Sequence, residues 1–318
     1  MEAAVFGVLA SLLSAVFFGL YPVPRRYVDF GINDYLISMT LGVLICGLAL
    51  STFSSFSILY LSGEKWILGL ITGSLWALGT VLYVSSVDCS GVGRATPIKN
   101  ITAAVGLALG LIVFREIQGL TWLKTVYVII GTLLIIWAGK ILGSIQGKVD
   151  ISRPSCPVDL AIPRFFKEDL KTPMTAGFIL ALGAAVLYGF TSIPLKMLTA
   201  RTESVFQFLP SVGLGALITS VLADAAFTTT HTWRKVPVKE HFLAVLGGFI
   251  WVFGLLFLST GIKLVKLSVA WPIAMSSTVF AILYALIAKE IKFSSNKKEV
   301  LKGLSIGVFG IFLLGMSL

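Results

Sequence analysis

Residues 66–87 read WILGLITGSLWALGTVLYVSSV, and residues 242–262 read FLAVLGGFIWVFGLLFLSTGI. Neither stretch holds a charged side chain, and each matches the ~20 apolar residues that a helix needs to cross a bilayer. At an offset of 175 they bring Gly73, Trp76 and Gly79 onto Gly248, Trp251 and Gly254. A tryptophan flanked by glycines near the middle of two apolar spans marks the chain both as a membrane protein and as an internal repeat.

The match runs outward from there. Ala95, Pro97 and Ile98 fall on Ala270, Pro272 and Ile273, and the helices that carry them end alike, in Arg115-Glu116-Ile117 and Lys289-Glu290-Ile291. Gly131 and Gly139 lie over Gly307 and Gly315. At an offset of 170, Gly7, Ala15, Val16, Gly19 and Pro24 fall on Gly177, Ala185, Val186, Gly189 and Pro194, with Arg26 over Lys196. Apolar runs bounded by charge, Pro or Gly predict ten spans, at 4–22, 35–56, 66–87, 94–114, 121–142, 174–195, 206–227, 242–262, 268–288 and 300–317. The long connector from Gly143 to Pro173 carries Pro154, Pro157, Pro163 and a dense set of charges, so it reads as a solvated linker. The chain divides into a first five-helix repeat (1–142), a polar linker (143–173) and a second five-helix repeat (174–318). Five is odd, so the second repeat enters the membrane from the other side. The expected fold is an all-α polytopic membrane protein of ten transmembrane helices in two inverted five-helix repeats, a construction that secondary transporters use.

Composition agrees. A chain of 318 residues that is 57% hydrophobic and 13% charged, with a mean hydropathy of +0.95, is excluded from the soluble globular class. The opening Met1-Glu2-Ala3 lacks the basic region of a signal peptide, so the first helix is expected to stay. Cys46, Cys89 and Cys156 are odd in number and lack metal-ligand spacing, which argues against a disulfide framework and a zinc site. The net charge of +10 reads as membrane topology rather than nucleic-acid binding. Of the 25 Lys and Arg, 18 belong to the side that holds the loops after odd-numbered helices, which places those loops in the cytoplasm and both termini together outside. A multi-pass protein of the cell membrane is expected, with its oligomeric state open.

Function must come from polar groups at membrane depth. Trp76 and Trp251 sit near the midplane, away from the interfaces where Trp normally gathers. They are candidate platforms for the apolar face of a sugar ring. The run Arg94-Ala95-Thr96-Pro97-Ile98-Lys99-Asn100-Ile101-Thr102 puts an ionisable Lys99 inside the fourth span, and such a residue is a functional candidate by default. Lys99, Asn100 and Thr102 are expected to fix the polar groups of a solute. The matching run Trp271-Pro272-Ile273-Ala274-Met275-Ser276-Ser277-Thr278 offers Ser276 and Ser277. Pro22, Pro24, Pro97, Pro194 and Pro272 are candidate gates or hinges; helices one and six are read as ending at the Pro22-Pro24 and Pro194 segments. No Asp or Glu stands convincingly mid-membrane, since Asp88, Glu116, Asp224 and Glu290 all lie at span ends. His231 and His241 flank one loop, and no catalytic constellation falls on one face. An enzyme, a cofactor and a metal are therefore not expected.

These motifs carry a resemblance. Gly19 with Pro22 and Pro24, the Gly73 to Gly79 segment, Arg94 to Asn100, Gly189 to Lys196, Gly248 to Gly254 and the Lys289-Glu290-Ile291 ending resemble the glucose/ribose porter branch of the drug/metabolite transporter superfamily. That branch includes bacterial sugar-uptake proteins and the eukaryotic transmembrane-protein-144 group. The resemblance implies a carrier that moves a small polar solute, foremost a monosaccharide, by alternating access through a cavity lined by helices three, four, eight and nine. This sequence departs from the bacterial uptake proteins at Lys99-Asn100, where those tend to carry small hydroxyl and Gly residues. The alternative cargo is an anionic metabolite such as a nucleotide sugar, which Lys99, with Arg94 or Arg25, could neutralise.

Overall fold

The computed structural model describes residues 2–28, 31–54, 62–90, 92–144, 173–227, 233–288 and 293–318. Most of the 143–173 linker, Cys156, His231 and the Lys289-Glu290-Ile291 ending lie outside the described residues.

Among the described residues every regular element is helical, and ten helical stretches are long and apolar enough to span a membrane. Lipid offers the backbone no hydrogen bonds, so each span must satisfy its own polar groups, and a helix does so within one segment. In chain order the helices are α1 (Glu2–Leu20), α2 (Ile32–Ser51), α3 (Gly63–Ser90), α4 (Val92–Lys99), α5 (Thr102–Ala108), α6 (Trp122–Gly143), α7 (Pro173–Arg201), α8 (Leu209–Phe227), α9 (Val238–Val265), α10 (Leu267–Ala274), α11 (Ser277–Ile287) and α12 (Phe293–Met316). A 3₁₀ turn (Val23–Tyr27) follows α1, and a π-helical turn (Leu109–Val113) prolongs α5.

Two spans are broken. The fourth consists of α4 and α5, and the ninth of α10 and α11. At the first break the ladder tightens, with Ile101 N–H donating to Ile98 O and Ala103 N–H to Asn100 O; at the second, Ser276 N–H donates to Ile273 O. Each break follows a proline two residues before the half-helix ends, Pro97 in α4 and Pro272 in α10. A proline removes one donor and crowds the carbonyl four residues back, which weakens the ladder where it occurs. Reading each span as one continuous helix is thereby corrected.

Pro194 behaves otherwise. Helix α7 runs through it to Arg201, so the expected helix end at this proline is corrected. One missing N–H need not stop a helix, and the residues beyond it, Leu195 and Leu198, are fully enclosed. Helix α1 does stop before Pro22.

Helices α3 and α9 stand at the middle of the packing. α3 lies against α7 and α8, α9 against α1 and α2, and α6 pairs with α12. Close approach depends on two glycines. A Cβ on Gly73 would overlap the Val212 carbonyl of α8, and one on Gly248 would overlap the Met39 carbonyl of α2, the small-residue contact that membrane helices use. The outer faces carry large apolar side chains such as Ile112, Val308 and Phe312. Cys46 is free and buried, while Cys89 is disulfide-bonded, which corrects the expectation drawn from an odd cysteine count.

Candidate functional site

Trp76 of α3 and Trp251 of α9 are each 4% exposed. Their indoles face each other, with ring centroids 3.8 Å apart and planes inclined by 28°. The two residues read as separate platforms are in contact. The glycine one turn beyond each is taken up by a neighbouring ring, since a Cβ on Gly79 would stand 2.8 Å from the Tyr188 ring and one on Gly254 2.6 Å from that of Phe18. The bare helix faces beside the tryptophans therefore seat aromatic rings of α7 and α1.

Tyr188 links this pair to Lys99. Thr80 donates its hydroxyl hydrogen to Trp76 O (2.8 Å), so the Tyr188 hydroxyl, 3.0 Å away, donates to Thr80 Oγ1. The Lys99 ammonium lies over the Tyr188 ring at 5.9 Å and over the Tyr83 ring at 5.2 Å. The Tyr83 hydroxyl is itself paired with Thr96 Oγ1 at 2.8 Å. Lys99 is 5% exposed, so its stem does not carry the charge out to an interface. Both rings lie within the about 6 Å reach of such contacts, and each contributes about 0.5–2 kcal/mol. Burying an ammonium costs several kcal/mol, and the two rings offset only part of it.

The breaks supply the remaining polar groups. Asn100 donates through Nδ2 to Thr278 Oγ1, which joins the first break to the second. Asn100 Oδ1, Thr102 Oγ1 and Ser277 Oγ are buried without a hydrogen-bond partner. Unsatisfied buried polar atoms are uncommon and call for an explanation. Ser276 needs none, because its hydroxyl donates to Ile273 O at 2.7 Å. The Thr102 carbonyl accepts from the Trp271 indole at 3.2 Å. Among the predicted hinges, Pro22 precedes the 3₁₀ turn that contains Pro24. The side chain of Arg94 falls outside what the structure describes, and Arg25 stacks over Tyr35 at 5.2 Å.

With this geometry in view, the comparisons with known proteins decide the family. Residues 9–317 match the family described as sugar transport protein. The chain belongs to that family. A putative sugar uptake protein of Lactiplantibacillus plantarum is 24% identical over 277 residues, 86% of each chain. The glucose uptake protein GlcU of Bacillus subtilis is 26% identical over 304 residues, 94% of this chain and 93% of its own. A probable glucose uptake protein of Priestia megaterium is 24% identical over 98% of both. One solved crystal structure covers 96% of this chain and 95% of its own with a TM-score of 0.69 at 14% identity, which shows a shared fold.

The family member's sequence left two clusters unmarked. Glu116 stands at the end of the fourth span; its carboxylate turns inward and accepts from Leu267 N–H (3.1 Å) and Ser268 N–H (2.9 Å) at the start of α10, while Lys196 Nζ lies 3.0 Å from Oε1. Lys196 lies within α7, before its end at Arg201, and is the ionic partner of that carboxylate. His241 flanks its loop as expected but is locked in place. Its Nε2 lies 3.0 Å from Trp233 O and its Nδ1 2.8 Å from Ser38 Oγ, which also accepts from the Trp233 indole at 2.9 Å. Both clusters join residues far apart in the chain, and no local spacing announces them.

Proposed function

We propose that this protein is a cell-membrane carrier that moves a monosaccharide-class solute by alternating access, without chemical change to it. The observation that carries the reading is the pair of broken spans, at positions that match in the internal repeat, with Asn100 Oδ1, Thr102 Oγ1 and Ser277 Oγ buried and unpaired beside them. Transporters bind at such breaks because irregular backbone at membrane depth, tolerated only inside protein or along a wet cavity, frees polar groups for a ligand. The names of the sugar-uptake relatives support the choice of cargo. In this reading the repeats 1–142 and 174–318 exchange positions about the Trp76–Trp251 contact, and the indoles part to take a sugar ring between them. Asn100, Thr102, Ser276 and Ser277 meet its hydroxyls, the helix ends at Pro22, Pro24, Pro97 and Pro272 tilt, and Pro194, inside the continuous α7, marks where that helix can flex.

Uptake into proteoliposomes tests this, with a panel of labelled neutral and acidic monosaccharides and with the Trp76→Ala/Trp251→Ala double variant beside the wild type. Saturable uptake of at least one sugar is expected, reduced about tenfold or more in the variant, the equivalent of one lost stacking contact of ~1.4 kcal/mol. Uptake that survives both substitutions would remove the indoles from the site. A wild type that accumulates no sugar would end the carrier reading.

A further inference from the structure

Resting on the sugar-carrier reading, the surroundings of Lys99 say more about the cargo. Its ammonium faces the rings of Tyr83 and Tyr188, at 5.2 and 5.9 Å. Among the described residues no carboxylate pairs with it; Glu116 is held by Lys196 and Glu64 by Arg201. The side chains around the two breaks are neutral: Asn100, Thr102, Ser276, Ser277 and Thr278. Among the described side chains this region thus brings together the Lys99 charge, several hydrogen-bonding groups and aromatic faces. Three of those groups, Asn100 Oδ1, Thr102 Oγ1 and Ser277 Oγ, are buried and unpaired.

A cation held in a low-dielectric interior without a counter-charge is stabilised most by whatever brings one. The other groups describe the rest of such a ligand, with hydroxyls for the amide and serine or threonine oxygens and a C–H face for the aromatic rings. We propose that Lys99 reads a negative charge on the cargo, so that the preferred solute is an acidic monosaccharide, bearing a carboxylate or a phosphate, over its neutral counterpart. Lys99 is then a specificity-determining residue. It sets which sugar is favoured, while the indoles and hydroxyls hold the ring common to both.

The test compares initial uptake of labelled D-glucose, D-glucuronate and D-glucose 6-phosphate into proteoliposomes clamped at zero membrane potential. Wild type, Lys99→Gln and Lys99→Arg are run together. The expected result is that one of the two acids enters the wild type about tenfold or more faster than glucose at low concentration; the two arms tell carboxylate from phosphate. The acid-to-glucose ratio should fall about tenfold in Lys99→Gln and be kept in Lys99→Arg. A wild type that prefers glucose overturns the proposal and leaves the carrier reading standing, and it does so whether or not the variants fold. An acid preference unchanged in Lys99→Gln also overturns it. A wild type that takes up none of the three removes the carrier reading and this proposal with it.

Discussion

A methyl group on Gly73 or Gly248 would meet backbone oxygen, not a side chain that could swing away. Overpacking against a rigid neighbour costs about 1–3 kcal/mol. Gly73→Ala and Gly248→Ala are each expected to lower the unfolding temperature of the purified protein in detergent. Gly63→Ala should leave it unchanged, because nothing lies within 4 Å of a Cβ there. Equal effects at all three positions would mean that α3 and α9 do not pack as closely as the structure has them. These glycines and the tryptophans between them were legible in the sequence, because an indole near the midplane with glycines on both sides is an unusual pattern. That the two indoles touch was not legible, since the contact joins α3 to α9 and only the packing of the bundle decides it. Tyr83 and Tyr188 carried no mark at all. A tyrosine in an apolar span looks like any aromatic until Lys99 is seen above it.

At the scale of the helix, the start of α10 poses a problem that its own sequence does not solve. The first N–H groups of a helix lack partners, and Lys266, the residue before α10, gives no side-chain cap. It also adopts φ 72° and ψ 162°, a conformation that favours glycine and costs a lysine about 1–3 kcal/mol. Glu116 supplies the cap from the other repeat and holds Lys196 at the same time. Removing one partner of a buried ion pair leaves the other uncompensated, at about 3–5 kcal/mol. Lys196 is partly exposed, at 20%, which reduces its share. Glu116→Ala is therefore expected to destabilise more than Lys196→Ala, since it also strands two N–H groups. The double variant should fall short of the sum by about 0.5–3 kcal/mol. Thermal unfolding of the four proteins measures the difference, and strict additivity would show that the three groups do not act together. The sequence showed the prolines and polar residues of the broken spans but not the breaks, because a proline alone does not say whether a helix will bend, stop or carry on. Pro97, Pro194 and Pro272 have three different neighbourhoods. The ladder past Pro97 and Pro272 gives way, and the ladder past Pro194 holds to Arg201.

For the whole molecule, the internal repeat makes a demand that no single helix does. If each unit has five spans and one follows the other, then positions that match between the units must face opposite sides of the membrane. Glu64 at the start of α3 and Lys239 at the start of α9 match at the 175-residue offset, and both are exposed. By the positive-inside rule, the excess of Lys and Arg in the loops after odd-numbered helices predicts Lys239 in the cytoplasm and Glu64 outside. The Glu116–Lys196 cluster at the start of α10 ties the two repeats together, and the same rule predicts it on the outer side. In a cysteine-free background, Glu64→Cys in intact cells is expected to react with a membrane-impermeant maleimide, whereas Lys239→Cys should react only after permeabilisation. The opposite pattern would keep the inversion and turn the molecule over, which would put the Glu116–Lys196 closure on the cytoplasmic side. Labelling of both from one side would be incompatible with two inverted five-helix units, and alternating access by exchange between them would go with it.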